Sequence, residues 1–578
     1  MRFIVLSQVS KQVSKQASKQ VSKQVSKNVP GKIGIVLLFS ALLGVATAAS
    51  AAGVPAYKVE QIAVPGATFT YVNALNTKGA VVGNFVNSSD VTQGFEFSGG
   101  KYKTIADPHA NNFTRANAIN DSGLVAGDFL GSDGFYHGFT LSGSKYKQFD
   151  VAKKTSTSIF GLDNNGDFAG AAGAGGPNQG FVDIGGTVTE FYGSGTDNTF
   201  AYAINDSDEA VGQYIDSSNL SHGYMRDSTG VITEIVPPGA VQTACLGLND
   251  AGVITGWYIN SAGQSYGFTD TAGVFVTVDF LEVNDINSSG VFVGVYVGPG
   301  STGATEYGYL ATPATFKNFG TVAVPKAMST SIYGVNNSGS LTGFYETSSS
   351  AFHGLLMIGN KITNLDDPSA LTGTTVGEGI NTANEVVGYY ENASNADVGF
   401  LYSAGTYSDI VPPGAIVSSA LGINDSGVIS GVFVDSSDVE HGFTYNGSTY
   451  TTFDVPGATF TYGWGINASG ELTFSWGDAN GFTEGALYNG SAYTTLDVPG
   501  ALDTFAHAIN TSGDIALAWY DYYANIHGAV LMNGSYYIFD DPNGTQTHGD
   551  GINDSGLIVG RYLPTGSTTN YDGFKGTL

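Results

Sequence analysis

One stretch of the chain contains a complete copy of the pattern that decides the fold. It begins Ala420-Leu-Gly-Ile-Asn-Asp-Ser-Gly-Val-Ile-Ser-Gly-Val-Phe433, continues with His441-Gly-Phe-Thr-Tyr445, and ends Tyr450-Thr-Thr-Phe-Asp-Val-Pro-Gly-Ala458. Apolar residues alternate with polar ones, and β-branched and aromatic side chains are frequent. The stretch therefore predicts four short strands, which we call a, b, c and d.

The connections between these strands carry equally clear signals. Asn-Asp-Ser-Gly predicts the turn between strands a and b, because Asx side chains bond local amides and glycine accepts a positive φ. Asn446-Gly447 predicts a hairpin between strands c and d. Pro456-Gly457 suits the centre of a type II turn that leads to the next copy.

The pattern recurs twelve times at intervals of about 43 residues. The asparagine that follows strand a marks each copy, and an aspartate replaces it once. The markers are Asn76, Asn120, Asp163, Asn205, Asn249, Asn287, Asn336, Asn381, Asn424, Asn467, Asn510 and Asn553. Four strands in a unit of this length match a propeller blade, whereas solenoid coils hold fewer strands. We therefore predict an all-β fold, a β-propeller.

The two ends of the repeat region are complementary. Tyr57–Ala63 reads as a strand d without its a, b and c, and the last copy stops after Phe574 without a strand d. An N-terminal strand d can complete an open blade and remove exposed sheet edges. Twelve blades exceed the four to eight of a usual ring. Because the irregular spacings of 38 and 49 residues meet at the sixth copy, we predict two six-bladed rings divided near Pro313, with strand c at Glu306–Leu310 and strand d at Thr315–Phe319. A single twelve-bladed ring fits the end pattern equally well.

This interpretation divides the chain into three parts. Residues 1–51 form a signal peptide with a low-complexity basic n-region, residues 52–312 hold repeats 1–6, and residues 313–578 hold repeats 7–12. The apolar run Ile33–Val45 follows seven bases and precedes small residues, which is the secretory pattern, with cleavage after Ala48 or Ala51. The run is shorter than the ~20 residues of a membrane span. We expect a secreted or cell-surface protein without a membrane span after cleavage.

Composition excludes several classes of protein. The net charge is −28, and all of the bases in residues 1–51 lie outside the predicted rings. The repeat region is therefore strongly acidic, and it should repel nucleic acid and anionic membranes. A single cysteine, Cys245, excludes a disulfide framework, which favours a large bacterial exported protein over a small disulfide-rich scaffold. We expect a monomer.

The repeated Gly-Ile-Asn-Asp-x-Gly-x-Ile-Val-Gly and His-Gly-Phe blocks resemble the HAF family of extracellular repeats. The resemblance covers residues 57–578. It implies export, and it carries over no catalytic residues. The His-Ala-Phe of the family appears here with a central glycine, as in His137-Gly-Phe139 and His441-Gly-Phe443.

Histidine recurs at the start of strand c. The five copies are His137, His222, His353, His441 and His527. In other repeats the same position holds Gln93, Gln179, Tyr266 and Tyr307. A metal site needs two to four ligands around one ion, but these residues belong to different blades. A position that accepts His, Gln or Tyr is typical of a hydrogen-bonded strand, so we predict a structural role.

Aspartate recurs at the end of strand d. The six copies are Asp107, Asp150, Asp366, Asp454, Asp497 and Asp540. Such carboxylates can bind cations or supply an acid–base pair, but each can also accept amides before the next turn, which we favour. Asp163-Asn-Asn-Gly-Asp167 resembles a calcium loop without its terminal glutamate, so calcium is left open. Gly298–Gly303 matches a dinucleotide-binding pattern but opens no predicted helix.

The repeats therefore predict no catalytic residue and no metal centre, and they identify no binding residue. Calcium is the one cofactor that stays an open alternative. We expect a binding or scaffold protein with an unknown extracellular ligand, either a glycan or a protein, and Trp519–Tyr523 offers rings for stacking on sugars. The alternative is an extracellular glycan-active hydrolase or lyase that uses the rim carboxylates. An enzyme usually breaks its repeat symmetry at the chemical site, and the deviations here are mostly apolar substitutions or changes in loop length.

Overall fold

The computed structural model describes residues 54–193, 198–278, 282–300, 303–521, 524–541 and 544–578. The predicted signal peptide lies outside these residues. Regular structure in the described part is β-strand throughout, and it contains no helix that could span a bilayer. The chain forms two compact units. We call Lys58–Pro313 the first ring, and Ala314–Leu578 together with the residues up to Tyr57 the second ring.

The chain enters through β1 (Val54–Ile62), and blades 1 to 5 of the first ring are four-stranded antiparallel sheets in chain order. Their strands are β2 (Phe69–Leu75), β3 (Val81–Val86), β4 (Thr92–Ser98), β5 (Lys101–Ile105); β6 (Thr114–Ile119), β7 (Val125–Leu130), β8 (Tyr136–Ser142), β9 (Lys145–Phe149); β10 (Ser156–Leu162), β11 (Phe168–Gly173), β12 (Gln179–Ile184), β13 (Thr187–Phe191); β14 (Asn198–Ile204), β15 (Ala210–Ile215), β16 (Ser221–Arg226), β17 (Ile232–Ile235); and β18 (Ala240–Leu248), β19 (Val253–Asn260), β20 (Ser265–Thr271), β21 (Val274–Val278).

Blade 6 takes its outer strand from the start of the chain. Its first strands are β22 (Glu282–Ile286), β23 (Phe292–Gly300) and the first part of β24 (Gly303–Val322). β24 is hydrogen-bonded to β1, where the Ile62 carbonyl lies beside Gly308. Ile62 also packs with Val72 and Val293 in one apolar cluster. The N-terminal strand thus completes the blade, which leaves no open edge there.

The second ring repeats this plan. Blades 7 to 11 contain β25 (Ser329–Val335), β26 (Leu341–Glu346), β27 (Phe352–Ile358), β28 (Lys361–Leu365); β29 (Val376–Ile380), β30 (Val386–Glu391), β31 (Asp397–Ser403), β32 (Thr406–Ile410); β33 (Ala415–Ile423), β34 (Ile429–Asp435), β35 (Glu440–Tyr445), β36 (Tyr450–Phe453); β37 (Thr461–Ile466), β38 (Leu472–Gly477), β39 (Thr483–Tyr488), β40 (Tyr493–Leu496); and β41 (Asp503–Ile509), β42 (Ile515–Tyr520), β43 (Ile526–Met532), β44 (Ser535–Phe539). Blade 12 contains β45 (Gly544–Ile552), β46 (Leu557–Pro564) and β47 (Asp572–Thr577), and the last part of β24 pairs with β47.

The strand boundaries differ from the prediction at the sixth repeat. The sequence predicts two strands separated at Pro313, whereas β24 continues from Gly303 to Val322. Its residues up to Ala311 pair with β23, and those from Lys317 pair with β47. Pro313 lies between the two ladders, where its missing N–H removes no ladder bond.

Each marker asparagine closes a turn and also links two blades. The Oδ1 of Asn424 accepts the amides of Ser426 (3.1 Å) and Val428 (2.9 Å), which holds the turn between strands a and b. Its Nδ2 donates to the main-chain oxygen of Asn467, the marker of the next blade, over 3.0 Å. The marker position thus supplies hydrogen bonds both within its own turn and to the next blade.

These inter-blade bonds show that the rings are closed. In the second ring they pass through all six markers, and Asn553 donates back to the carbonyl of Asn336 over 2.9 Å. In the first ring Asn287 donates back to Asn76 over 3.1 Å. Asp163 is the exception, since a carboxylate has no N–H to donate. Six four-stranded sheets closed around an axis form a β-propeller, so the predicted fold class is confirmed, in its two-ring form.

Glycines in strands b and c mark close packing, as the repeats predict. At Gly431 a Cβ would overlap the Ser419 carbonyl and meet the ring of Phe443 at 2.7 Å. At Gly442 it would meet the ring of Phe453 at 2.6 Å. Phe433, in the same strand as Gly431, stacks on His441 with ring centroids 5.1 Å apart.

Candidate functional site

The recurring histidines and the carboxylates that follow strand d meet within single blades. The pairing of strands c and d places four of these histidines beside the aspartate 13 residues later, which follows strand d, and places His222 beside Glu234, which lies within β17. The Nδ1–oxygen distances are 2.9 Å for His137 and Asp150, 2.6 Å for His222 and Glu234, 2.8 Å for His353 and Asp366, 3.0 Å for His441 and Asp454, and 2.9 Å for His527 and Asp540. Each pair ties the outer strand of its blade to strand c.

The rest of each histidine is also engaged. An aromatic ring of strand b stacks on it, with centroids 5.4 Å apart for Phe129 and His137 and 4.5 Å apart for Trp519 and His527. In four of the five blades a carboxylate of the loop between strands b and c approaches Nε2, as Asp133 does at 3.1 Å. The structure therefore gives the five histidines separate sets of partners and does not bring them together.

The remaining sequence-predicted residues have other surroundings. Asp107 accepts the amide of His109 over 2.8 Å. Burial raises the pKa of Asp497. Burial, and to a smaller extent the negative charge of Asp497, raises the pKa of Glu484 to about 7. Trp519 is fully buried, so it is not available to stack on a sugar, and residues 522–523 lie outside the described part. The side chain of Tyr307 also lies outside it.

The predicted calcium-like loop does gather carboxylates. Asp163 and Asp167 lie with Asp208 of the next blade, with one oxygen from each within 4.8 Å of the others. Burial is the main reason that the pKa of Asp163 rises to about 6. Gly298–Gly303 forms the tip of the β23–β24 hairpin, where Gly300 pairs with Gly303 and residues 301–302 lie outside the described part.

Sequence reasoning missed the residues that line the ring axes. The residue three positions before each marker lies on the innermost strand and lines an axial pocket of the first ring, which is open to solvent and has a cavity volume of about 100 Å³. These residues are Asn73, Asn117, Phe160, Tyr202, Leu246 and Asn284. The repeats did carry a signal for these residues. The residue at this position differs from copy to copy, whereas the marker three residues later is nearly constant.

One half of this pocket wall is made of amides. Asn284, Asn73 and Asn117 occupy blades 6, 1 and 2, which are neighbours in the ring. Each Nδ2 donates to a main-chain oxygen of the following blade: 2.7 Å to Val72, 2.9 Å to Ala116 and 2.8 Å to Ile159. The Nδ2 groups are thereby fixed. The Oδ1 of Asn284, a buried residue, has no partner among the described residues.

The other half of the wall is aromatic and apolar. Phe160, Tyr202 and Leu246 occupy blades 3, 4 and 5, and the rings of Phe160 and Tyr202 lie 5.3 Å apart. Gln213 donates to the Tyr202 hydroxyl over 2.9 Å. Burial raises the pKa of Tyr202 to about 12, so its hydroxyl stays protonated at neutral pH. The pocket thus offers hydrogen-bonding groups on one side and ring faces on the other.

The axis of the second ring carries a charged cluster instead. His507 and Asp550 hold the equivalent position in blades 11 and 12, with Nδ1 and Oδ1 3.1 Å apart. Arg561 donates to the other carboxylate oxygen of Asp550 over 2.8 Å and lies 4.8 Å from the ring centre of Tyr333. Burial favours protonation of Asp550, but the charge of Arg561 outweighs it and lowers the Asp550 pKa. Deviations between the repeats are therefore not confined to apolar or loop-length changes.

Comparison with known proteins adds structural neighbours only. No protein-family model and no curated protein matches the chain. The BP39L lectin of Burkholderia pseudomallei is 9% identical, with 57% of this chain and 94% of that chain covered and a TM-score of 0.24. The six-bladed β-propeller lectin of Aleuria aurantia is 13% identical over 65% and 95%, with a TM-score of 0.18. The propeller domain of the Trilobed protease of Pyrococcus furiosus is 9% identical over 58% and 92%, with a TM-score of 0.24.

Proposed function

We propose that the protein is an exported saccharide-binding propeller whose ligand occupies the axial pocket of the first ring. The observation that carries this proposal is the division of the pocket wall into an amide half and an aromatic half. A sugar ring has the same division, because its hydroxyls project around its edge while its C–H groups form apolar faces. Pockets that bind small polar ligands combine a few fixed polar groups with apolar and aromatic walls.

Each contact in such a site contributes only a modest binding free energy. A hydrogen bond to an amide contributes about 0.5–1.5 kcal/mol, and an aromatic ring adds area that becomes buried on binding. Because the blade-to-blade bonds of Asn73, Asn117 and Asn284 already orient their amides, little rotamer entropy is lost when a ligand binds. The pocket is therefore pre-organised to bind a polar ligand.

The test is a glycan array followed by calorimetry on the chain from residue 52 onward. Tyr202→Leu and Asn73→Ala should each weaken binding by about tenfold or more, since the first removes an aromatic ring from one half of the pocket wall and the second removes an amide from the other. Leu421→Ala, at the same repeat position in the second ring, is the matched control and should bind as the unaltered chain does. Failure of every glycan, or equal binding by Tyr202→Leu, would overturn the proposal. Release of reducing sugar would favour the glycan-active enzyme instead.

Export is a separate part of the proposal. It is supported by the basic and apolar N-terminal residues and by the resemblance to HAF extracellular repeats, and we propose that the chain belongs to that family. Expression in a bacterium followed by N-terminal sequencing of the culture-fluid protein should find a chain that begins after Ala48 or Ala51. Retention of an intact N-terminus inside the cell would contradict export.

A further inference from the structure

The mouth of the first-ring pocket is ringed by acidic residues. The residue after each marker lines this mouth, and in blades 2, 4 and 5 it is Asp121, Asp206 or Asp250. One oxygen of each carboxylate accepts a main-chain amide of the preceding blade, at 2.8 Å for Asp121, 2.8 Å for Asp206 and 3.1 Å for Asp250. These bonds hold the three carboxylates in place around the axis. An ionised carboxylate accepts several hydrogen bonds, so each keeps capacity for a ligand.

The charged residues that line this pocket are all acidic. The titratable carboxyl groups that line the pocket are the three mouth aspartates together with buried Asp163 and Asp285, and no lysine, arginine or histidine is among its described lining residues. One base, Lys78, lies beside the mouth, where its Nζ donates to the main-chain oxygen of Asp121 over 2.7 Å. The mouth therefore attracts cations, because low-dielectric walls focus the field of the carboxylates.

A second observation is a hydrogen-bond acceptor without a partner in the pocket wall. Asn284 is 7% exposed, its Nδ2 is committed to the carbonyl of Val72, and its Oδ1 has no partner among the described residues. A buried acceptor without a donor is unfavourable. A ligand N–H or O–H in the pocket would satisfy it. On the opposite wall the faces of Phe160 and Tyr202 stabilise a nearby positive group through their quadrupoles.

We infer that the ligand is a saccharide with a free, protonated amine, and that the carboxylates of Asp121, Asp206 and Asp250 hold the ammonium group at the mouth. This inference rests on the proposed saccharide-binding function and names its ligand class. A simple hydrated cation would leave the aromatic half of the wall without a partner. A neutral sugar would leave the three carboxylates without a counter-charge.

The experiment compares ligands that differ only at nitrogen. Calorimetry is run with the glucosamine β-1,4 dimer, its N-acetylated counterpart and cellobiose. The amine is expected to bind about tenfold or more tightly than the other two, since hydrogen bonds between charged groups are worth more than neutral ones. The advantage should shrink as salt is added.

Variants then assign the effect to the mouth. Asp121→Asn and Asp250→Asn keep an oxygen for the inter-blade bond and remove only the charge. Each should reduce the advantage of the amine over cellobiose several-fold. Asp425→Asn is the matched control, because Asp425 accepts the Thr382 amide over 2.8 Å at the same position in the second ring.

The outcomes separate this inference from the function on which it rests. Equal binding of the amine and of cellobiose, or an amine advantage that survives in Asp121→Asn and Asp250→Asn, would overturn the inference while saccharide binding stands. If none of the three ligands bound and no glycan on the array bound, both the inference and the proposed function would be overturned.

Discussion

Arg561 donates from Nη2 to Nδ1 of His548 over 3.1 Å. A guanidinium has no acceptor, so Nδ1 must accept and the single proton of neutral His548 lies on Nε2. That Nε2 has no acceptor among the described residues. Burial, and then the charge of Arg561, lowers the pKa of His548 well below its ordinary value. Arg561 thus sets the charge and the tautomer of His548 while it also neutralises Asp550.

Replacing Arg561 should therefore destabilise the second ring strongly. We expect Arg561→Met to lower the free energy of unfolding by about 3 kcal/mol or more, because it leaves the buried carboxylate of Asp550 without its counter-ion. Urea titration followed by fluorescence measures the change. Lys103→Met is the control, since Lys103 forms an exposed ion pair with Glu96 at 3.2 Å, and its loss should change stability by less than about 1 kcal/mol.

His527 should make stability fall at alkaline pH. Burial opposes its charged form, but the carboxylates of Asp540 and Asp521 outweigh burial and raise the pKa of His527 to about 10. The proton is bound more tightly in the folded chain, so the added stability is complete below the ordinary pKa of about 6.5 and is lost as pH rises towards 10. The melting temperature should fall over this range, and His527→Gln should fall less. His353→Gln is the control, since that histidine is partly exposed; an equal fall in all three proteins would contradict the assignment.

At Asp163 the first ring lacks one of its inter-blade hydrogen bonds. It is the marker that cannot donate to the next blade, and mainly burial raises its pKa to about 6. Asp163→Asn restores an amide at this position and should stabilise the first ring by about 1–2 kcal/mol at pH 8. In the unaltered chain a raised carboxyl pKa means that stability increases as pH falls from about 7 to about 4, and the variant should lack this increase.

The reverse substitution is the matched control for Asp163. Asn424→Asp removes an existing inter-blade donor in the second ring and should lower stability by a similar amount, about 1–2 kcal/mol. Thermal unfolding of both variants at pH 5 and pH 8 measures the two effects. If Asp163→Asn were no more stable than the unaltered chain at pH 8, the inter-blade bonds would contribute little.

A methyl group at Gly431 should disrupt blade 9. Its Cβ would overlap the Ser419 carbonyl, a backbone atom that cannot move without breaking the strand pairing. We expect Gly431→Ala to lower the free energy of unfolding by about 2 kcal/mol or more, as overpacking of a core does. Gly320→Ala is the control, because a Cβ there meets no atom within 4 Å. Differential scanning calorimetry should show a shift for the first variant and almost none for the second.

The repeat frame was predictable because its signals are local and repeated. Asn424 closes its own turn with bonds to residues two and four positions away, and Gly457, with φ of 85°, occupies the expected turn to the next blade. Twelve copies of such signals identify strands, turns and blades together. The hairpin at Asn446 is also present, although its loop spans the four residues from Asn446 to Thr449.

The candidate site was not predictable in the same way. Pairing of His441 with Asp454 depends on the register of strands c and d, and periodicity alone does not set that register. The axial residues escaped notice for a different reason. Asn73 and Tyr202 look like ordinary strand residues until ring closure places them around one axis, and closure depends on contacts between residues more than 200 positions apart, such as Asn287 and Asn76.

The way the chain is shared between the rings has a consequence for synthesis. The first ring uses only Lys58–Pro313, so all of its strands exist as soon as Pro313 has left the ribosome, and domains generally fold as units during translation. The second ring packs Ala56 in one apolar cluster with Phe574, so its assembly must wait until translation is nearly complete. A nascent chain arrested once Pro313 has emerged from the ribosome would therefore carry one finished propeller, and truncation near the C-terminus would spare that propeller and damage the other.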